Sequence, residues 1–492
     1  MKVLIVPRTR PTRMMFHSVA FILGFMPVCI GGFFVVGRLL GAAWPLRWLI
    51  AANLLFYAWW SPAQTPILIA SVAGNYAIGC KLARGGATRP WLAAGVLANL
   101  LLLGWFKYAN FFLHIAIPNA AALNVALPLG ISFFTFQQIM FLADTARAGA
   151  PLPALRHYAA FVTFFPHLIA GPIVRPGEII PQLTVPGLAR PNAACLADGL
   201  LHFLLGLAKK LVLADMFAGF ANVGFDAAGH GAALSFFEAW YATLSFALQI
   251  YFDFSGYSDM ATGLARMLNV RFPANFDSPY QARNIAEFWR RWHITLGAFL
   301  RDYLYIPLGG NRRHEAVNLM ATMLLAGLWH GAAWTFVAWG ALHGLYLLAH
   351  RHYRRLLPPL PRFAGRALTL FAVVVAWVPF RAGSLHDTLG VLSGMAGLNV
   401  IAVPRMIVAA IPALAVVARP VAVLPFLGDG RTLSFPEVSA CLLLGWLIVL
   451  TLPNIHRTGQ TGKHWALTAS FALSMQALFF APHVAPFLYF QF

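Results

Sequence analysis

An apolar stretch from Tyr251 to His350 carries more ionisable side chains than any other membrane-like part of the chain. Placing one Asp, Arg or Lys at the centre of a membrane costs roughly 2.5–3.5 kcal/mol, so such groups persist only where they pair or face a cavity. This stretch is therefore the predicted functional site. Its ionisable residues include Asp253, Asp259, Arg266, Arg283, Glu287, Arg290, Arg291, His293, Arg301, Asp302, His330 and His343.

His330 is the residue of this stretch whose type best suits proton transfer. It stands beside Trp329 in the sequence GLWHG, and the flanking glycines allow a ligand or another backbone to come close. An imidazole with a pKa of about 6.5 can act as a general base near neutral pH. Spacing alone leaves a second interpretation open, a core histidine hydrogen-bonded across helices. Both interpretations apply to His293, whereas His343 is expected to be structural.

The segment EFWRRWHITLGAFLR, from Glu287 to Arg301, is predicted to be helical. Glu287 would then lie one turn from Arg290 and Arg291, at spacings that allow ion pairs. His293 would lie about 200° around the helix from Arg291, so polar groups would occupy more than one face. Such a helix is expected at a membrane interface or in a cavity, and a structural salt-bridge set is the simpler interpretation of its charges.

Asp253 and Asp259 belong to the polar sequence DFSGYSD, which is predicted to lie at the end of a helix. Three roles remain open for them: capping of free N–H groups, an ion pair with Arg266 or Arg283, and orientation of a catalytic imidazole. No G-x-S-x-G elbow, P-loop or HExxH motif occurs, and no metal site is predicted. The residues alone indicate a helical membrane protein with a buried polar site, either an enzyme or a transporter.

The composition is that of a polytopic membrane protein. Of 492 residues, 60% are hydrophobic and 10% are charged, whereas soluble domains have about 25% charged residues. Apolar runs recur along the chain and predict roughly 11–14 transmembrane helices in one domain over residues 1–492. The net charge of +20 comes largely from basic loops such as Lys81–Arg89. Such loops set membrane topology and attract anionic lipid headgroups, so membrane lipids are expected partners and nucleic-acid binding is excluded.

Two elements near the predicted site depart from plain apolar helices. Within Tyr158–Pro176, three prolines and a glycine fall inside 11 residues, which predicts a broken or re-entrant segment. Such a segment needs protein or a cavity around it at membrane depth. Leu127–Leu142 carries Gln137 and Gln138, whose side chains predict a helix packed against other helices.

The chain resembles the membrane-bound O-acyltransferase family, and most closely its bacterial branch of alginate O-acetyltransferase proteins. Seven motifs, several of them described above, carry the resemblance and occur in the order expected for the family. They are PLGISFFTFQ at Pro128–Gln137, FFPHLIAGPIVR at Phe164–Arg175, YFDFSGYSDMA at Tyr251–Ala261, FPANFDSPY at Phe272–Tyr280, FWRRWHITL at Phe288–Leu296, LRDYLYIPLGGNR at Leu300–Arg312 and GLWHGAAW at Gly327–Trp334. The resemblance spans most of the chain, which makes it far more specific than one short motif.

The resemblance implies a ring of helices around a thinned polar core, with the catalytic part at about 128–350 and scaffold helices at 1–127 and 351–492. It places the catalytic histidine at His330 and a second catalytic position at His293. Asp253, Asp259, Glu287, Arg290, Arg291 and Trp329 would form the supporting polar core.

The same resemblance implies an activity and a location. The chain would take an acetyl group from acetyl-CoA or another cytoplasmic acyl thioester, with no metal, and pass it across a bacterial inner membrane. The acetyl group would then reach an exported polysaccharide through a periplasmic partner protein. Transfer of D-alanyl or another acyl group by the same fold is one alternative. A non-catalytic component or a transporter of a polysaccharide export complex is another, although no internal repeat is present.

Overall fold

The computed structural model describes residues 14–85, 88–148, 152–413, 419–421, 435–455, 469–475 and 487–488. Those residues are almost entirely helical, and their strands are the short parallel pair β1 (Ala402–Pro404) and β2 (Arg419–Val421). The chain divides into two compact units, Met1–Leu207 with Tyr257–Pro273, and Ala208–Gly256 with Ala274–Phe492. The single domain over 1–492, its catalytic part and its scaffold ranges stay predictions.

The first unit is built from ten helices that the structure describes, and it also contains the last turns of a long helix from the second unit. Its helices are α1 (Met26–Leu40), α2 (Trp44–Trp60), α3 (Thr65–Ala83), α4 (Thr88–Leu103), α5 (Ala109–Ala116), α6 (Ile131–Ala148), α7 (Leu155–Thr163), α8 (Phe165–Leu168), α9 (Pro176–Leu183) and most of α10 (Ala193–Ala208). π-Helical turns precede α1 at Ala20–Phe25 and join α4 to α5 at Gly104–Tyr108.

The second unit carries the chemistry-bearing residues His293 and His330. Its described helices are α11 (Asp215–Gly229), α12 (Phe236–Met267, up to Gly256), α13 (Ile285–Arg291), α14 (Ile294–Leu300), α15 (Glu315–His330), α16 (Trp334–Leu356), α17 (Arg362–Arg381), α18 (Leu385–Met395), α19 (Arg405–Ala410) and α20 (Phe435–Thr451). π-Helical turns lie at Lys209–Ala214 and Arg301–Tyr305.

Four of the described helical stretches are long and apolar enough to cross a membrane. They are Ala20–Leu40, Pro62–Ala83, Thr88–Ala116 and Arg362–Arg381. Together with the helical content, they confirm the predicted all-α polytopic membrane class. The predicted count of roughly 11–14 spans and the ring that they would form stay predictions.

The break predicted within Tyr158–Pro176 is confirmed in the first unit. α7 ends at Thr163, α8 is a single turn, and no helix forms again until Pro176. All residues from 164 to 174 are buried, and the Phe165 N–H donates to Asn53 Oδ1 at 3.2 Å. Protein therefore surrounds this irregular backbone and supplies a hydrogen bond that lipid could not.

The predicted packing of α6 through its glutamines is also confirmed. Gln137 and Gln138 are fully buried. The first hydrogen-bonds His167, and the second donates from Nε2 to Ser71 Oγ at 3.0 Å. Both bonds join α6 to other segments of the same unit, as expected for polar side chains that lie between helices rather than toward lipid.

Three buried tryptophans hold the helices of the second unit around its site. Trp292, Trp339 and Trp377 are each about 1–2% exposed. The Trp377 ring lies 4.9 Å from that of Trp292 and is stacked on that of Trp339 at 6.0 Å between centroids. Aromatic pairs at these separations add to the energy of simple burial. These contacts pack Trp292, in the turn between α13 and α14, against α16 and α17.

Candidate active site

The helix predicted from Glu287 to Arg301 is in fact interrupted at His293, and this prediction was wrong. α13 ends at Arg291, α14 begins at Ile294, and His293 adopts left-handed backbone angles of φ 43° and ψ 54°. A non-glycine residue in that conformation is strained unless its surroundings hold it. Here Asn275 holds it, since its carbonyl accepts from Ile294 N at 2.9 Å and its side chain accepts from Thr295 N at 3.3 Å.

Asn275 also determines which nitrogen of His293 carries the proton. The backbone N–H of Thr295 can only donate, so the Asn275 atom that it reaches is Oδ1. His293 Nδ1 lies 3.1 Å from the same oxygen, and an amide oxygen only accepts. The proton is therefore on Nδ1, and Nε2 keeps its lone pair. Asn275, in the motif FPANF, is a candidate site residue that the sequence pattern did not single out.

The environment of His293 keeps its ring neutral. The side chain is fully buried, and the Phe254 ring lies edge-on at 4.6 Å between centroids. Burial lowers the pKa of His293, because the imidazolium would lose its hydration. Nε2 has no hydrogen-bond partner among the residues that the structure describes. A buried nitrogen with an available lone pair is suited to accept a hydrogen bond from a substrate hydroxyl.

His330 is the last residue of α15 and is 5% exposed. Its ring packs edge-on against Trp339 at 5.1 Å and Phe380 at 5.2 Å between centroids. A Cβ atom on Gly327 would lie 2.2 Å from the Phe336 carbonyl oxygen of α16. The sequence left open whether a ligand or another backbone comes close to these glycines. At Gly327 it is the backbone of α16.

The structure brings the two predicted catalytic histidines to one aromatic side chain. The Trp329 ring lies 4.9 Å from that of His330 and 6.3 Å from that of His293, measured between centroids. Trp329 itself is 5% exposed. The turn before α14 and the end of α15 thus present one imidazole each to the same buried region of the second unit.

Of the two ion pairs predicted for Glu287 within α13, one is present. Glu287 Oε1 accepts from Arg291 Nη2 at 2.8 Å, as predicted, and Oε2 accepts from Arg283 Nε at 3.0 Å. Burial by itself raises the pKa of Glu287, but the hydrogen bonds from Arg283 and the charges of Arg291 and Arg283 outweigh it and lower the pKa overall. Arg290 is exposed and makes no ion pair among the described residues, so its predicted pairing with Glu287 was wrong.

Asp253 lies in the middle of a helix, which corrects the predicted position at a helix end. α12 runs unbroken to Met267 through the sequence DFSGYSD. The weak helix propensities of Ser255 and Gly256 cost about 1 kcal/mol or less each, whereas Phe252 and Phe254 bury whole side chains. Burial therefore outweighs local propensity. Asp259, further along the same helix, is 8% exposed.

The partner of Asp253 is Lys210 rather than an arginine or a histidine. Lys210 Nζ lies 2.8 Å from Asp253 Oδ1 and 2.8 Å from Asp215 Oδ1, and the side chains of Lys210 and Asp253 are only 2–3% exposed. Asp253 Oδ2 also accepts from Leu488 N at 2.9 Å. Arg266 and Arg283, the two arginines that the sequence left open as partners, pair with Asp198 and Glu287 instead.

No three His, Cys, Asp or Glu side chains lie close enough to hold a metal ion within the described ranges. The four cysteines are all unpaired thiols. The groups that the site offers for chemistry are therefore imidazoles, indole rings and the polar side chains around them.

Comparison with known proteins identifies one family and several relatives. Residues 95–385, which include His293 and His330, match the family described as MBOAT, membrane-bound O-acyltransferase family. The chain is 43% identical to a peptidoglycan O-acetyltransferase of Helicobacter pylori over 426 residues, which is 78% of this chain and 80% of that protein. It is 39% identical to a probable alginate O-acetylase of Pseudomonas aeruginosa over 394 residues, 76% of this chain and 73% of that protein.

A more distant similarity extends to D-alanyl transfer. A teichoic acid D-alanyltransferase of Bacillus subtilis is 26% identical over 273 residues, which is 53% of this chain and 68% of that protein. The aligned part is thus shorter and less similar than for the two O-acetyl-transferring relatives.

Proposed function

Since this chain belongs to the membrane-bound O-acyltransferase family, we propose that it transfers acetyl groups to an exported polysaccharide. The donor in this proposal is acetyl-CoA or another acyl thioester on the cytoplasmic side of a bacterial inner membrane. The acetyl group crosses the membrane protein and reaches the polysaccharide through a periplasmic partner protein. That the chain is a membrane O-acyltransferase follows from its family and does not depend on this proposal.

The observation that carries the choice of acetyl is the similarity to two O-acetyl-transferring relatives over about three quarters of the chain. The names of those relatives give two acceptors, peptidoglycan and alginate. Both are glycans that lie outside the inner membrane. D-alanyl transfer is the second candidate, and it is supported by the relative at 26% identity over 53% of the chain.

In the proposed mechanism, His330 is the general base. It takes the proton from an acceptor hydroxyl while the hydroxyl oxygen bonds to the carbonyl carbon of the thioester. The C–S bond then breaks, and the same imidazole returns the proton to the leaving thiolate. A positioned base of this kind contributes about 10²–10⁴-fold to the rate. Burial of His330 among Trp339 and Phe380 keeps competing water away from the reacting carbonyl.

His293 has a different role in this proposal. Its Nδ1–H is committed to Asn275, so the neutral ring offers only the Nε2 lone pair. An acceptor nitrogen cannot donate to a developing oxyanion, but it can accept from the substrate hydroxyl and align it. We therefore assign His293 to positioning of the acceptor rather than to stabilisation of the oxyanion.

Acetyl transfer from labelled acetyl-CoA in isolated membranes tests the proposal. His330→Ala at equal protein level is expected to lose about two or more orders of magnitude of transfer. The matched control is His352→Ala, which removes an exposed imidazole on the neighbouring helix α16 and should retain wild-type transfer. Near-normal transfer by His330→Ala would remove it as the base and favour a non-catalytic role. Label incorporated from D-alanyl donors instead of acetyl-CoA would select the second candidate.

A further inference from the structure

A cavity of about 980 Å³ lies in the second unit, where α16 ends and α17 begins. Residues 283–285 at the start of α13, the last three turns of α16, the loop 357–361 and the outer face of α17 form its walls. Neither catalytic histidine lines it. We call it the basic cavity, and its four basic side chains are Arg283, His350, Arg354 and Arg362.

The cations of the basic cavity are poorly neutralised. Arg283 is tied to Glu287 at 3.0 Å, but Arg354 and Arg362 make no ion pair among the described residues and are exposed. The nearby carboxylate of Glu315 is occupied by Arg351 and Arg355. Exposed guanidinium groups without a carboxylate partner are the usual recognition elements for phosphate.

His350 lines the same cavity and lies close to two arginine charges. Its pKa is lowered by burial first, and then by the charges of Arg354 and Arg290. Arg290 lies outside the cavity lining but close enough to act on it. An anion placed among these groups would relieve their mutual repulsion, whereas a cation would add to it.

The opposite wall of the basic cavity is apolar and belongs to a membrane-spanning helix. Leu368, Phe371 and Ala372 line the cavity from α17, at the i, i+3 and i+4 spacing of one helix face. Leu368 is 59% and Phe371 55% exposed, and α17 is one of the four candidate membrane spans. The apolar face therefore runs from the cationic rim into the depth of the membrane.

We propose that the basic cavity binds an anionic phospholipid, with the phosphate between Arg354 and Arg362 and an acyl chain along the outer face of α17. Charge complementarity selects an anionic headgroup over a zwitterionic one. The exposed apolar stripe selects a lipid over a soluble phosphate compound, because only a lipid has a long tail to cover it. The nucleotide end of the acyl donor also carries phosphates, and it becomes an outcome of the test.

Lipid binding is measured on the purified full chain in detergent by native mass spectrometry, with phosphatidylglycerol and phosphatidylethanolamine as the two probes. The wild type is expected to bind phosphatidylglycerol more tightly. Each cationic side chain near an anionic lipid contributes about fivefold in affinity, so Arg354→Gln/Arg362→Gln should bind phosphatidylglycerol roughly 10- to 25-fold more weakly. Phosphatidylethanolamine binding should change little.

Two further variants test whether phosphatidylglycerol binding depends on the basic cavity or only on the net positive charge of the chain. Arg84→Gln/Arg366→Gln removes the same charge from exposed positions outside the cavity lining, and it should keep phosphatidylglycerol binding within about threefold of wild type. Ala372→Trp fills the cavity without changing charge and should weaken phosphatidylglycerol binding as the arginine variant does. Melting curves confirm that each variant is folded.

Two outcomes overturn the proposal. Equal loss of phosphatidylglycerol binding in the cavity and control variants would mean that the attraction is only the net positive charge. In the second outcome, coenzyme A competes with phosphatidylglycerol and binds more weakly to Arg354→Gln/Arg362→Gln than to wild type. That result would mean that the cavity holds the nucleotide of the donor. Neither measurement needs acyl transfer, so a failure here is distinct from a failure of the proposed enzyme activity.

Discussion

At the scale of single residues, the site depends on one amide. Asn275 Oδ1 receives His293 Nδ1–H, the Thr295 N–H and the Thr295 hydroxyl, the last at 2.8 Å. The same side chain therefore holds the backbone turn at His293 and selects the tautomer of its ring. A neutral imidazole with the proton fixed on one nitrogen is a defined acceptor on the other, which is what the positioning of a hydroxyl requires.

Asn275→Ala is expected to lower kcat for acetyl transfer roughly 10- to 100-fold, because loss of a buried hydrogen-bond partner costs about 1–3 kcal/mol. Asn275→Asp keeps an acceptor for Nδ1–H but adds a negative charge, which raises the pKa of the imidazole. The rate–pH profile of this second variant should therefore move to higher pH. Steady-state transfer in membranes between about pH 5 and pH 9 measures both effects.

Thr295→Val is the matched control for that prediction. It removes the hydroxyl bond to Asn275 but leaves the His293 contact and the backbone N–H in place, so transfer should stay within about threefold of wild type. A rate–pH profile that is the same for Asn275→Asp and wild type would contradict the assigned contact between Asn275 and His293.

At the scale of elements, α15 and α16 position His330 through two glycines. A Cβ atom on Gly327 would lie 2.2 Å from the Phe336 carbonyl oxygen, and one on Gly340 would lie 2.3 Å from that of Met323. The two helices thus approach backbone to backbone at two levels, as helices in membranes do where small residues meet. His330 follows Gly327 by less than one turn, so the distance between these helices also places its ring.

Gly327→Ala and Gly340→Ala are each expected to destabilise the protein by about 1–3 kcal/mol, because the added methyl group forces the helices apart. Gly327→Ala should also lower acetyl transfer more than Gly340→Ala does, since it is closer in sequence to His330. Thermal unfolding in detergent and transfer in membranes measure the two effects.

Gly219→Ala serves as the control for the glycine variants. It lies within α11 and has no atom within 4 Å of an added Cβ, so alanine there should leave stability unchanged or raise it slightly. Wild-type stability in both Gly327→Ala and Gly340→Ala would show that the helices can separate freely, against the close packing described above.

At the scale of the whole molecule, basic residues are distributed unequally about the membrane span α17. Five arginines lie at its start, at positions 351, 354, 355, 362 and 366, whereas its other end carries Arg381, which bonds Asn222 at 2.8 Å and Asp226 at 3.4 Å. Loops rich in Lys and Arg stay in the cytoplasm. The end of α17 that borders the basic cavity is therefore expected on the cytoplasmic side.

Cysteine labelling tests this orientation in cells whose protein has its four native cysteines replaced by serine. His352→Cys and His386→Cys are matched, because both replace exposed histidines just outside opposite ends of α17. A membrane-impermeant maleimide should label His386→Cys in cells with an intact inner membrane, and His352→Cys only after that membrane is opened. The reverse pattern would contradict the assigned orientation, and the cysteine-free parent measures background labelling.

The sequence by itself determined those properties that depend on composition and on neighbours along the chain. Hydropathy determined the membrane class, the prolines of Tyr158–Pro176 determined the break there, and i, i+4 spacing determined the ion pair of Glu287 with Arg291. Motif order determined the family. Each of these follows from side chains within a few residues of one another, or from their sum.

Tertiary structure decided the properties that need a partner far away in the chain. His293 interrupts a helix although no proline or glycine lies within three residues of it, because Asn275 accepts the N–H groups that the next helix leaves free. Asp253 stays in mid-helix and pairs with Lys210, because burial on α12 outweighs the local propensity of Ser255 and Gly256. A long-range hydrogen bond or a buried face contributes more free energy than one residue's propensity, so neither result can be read from local spacing.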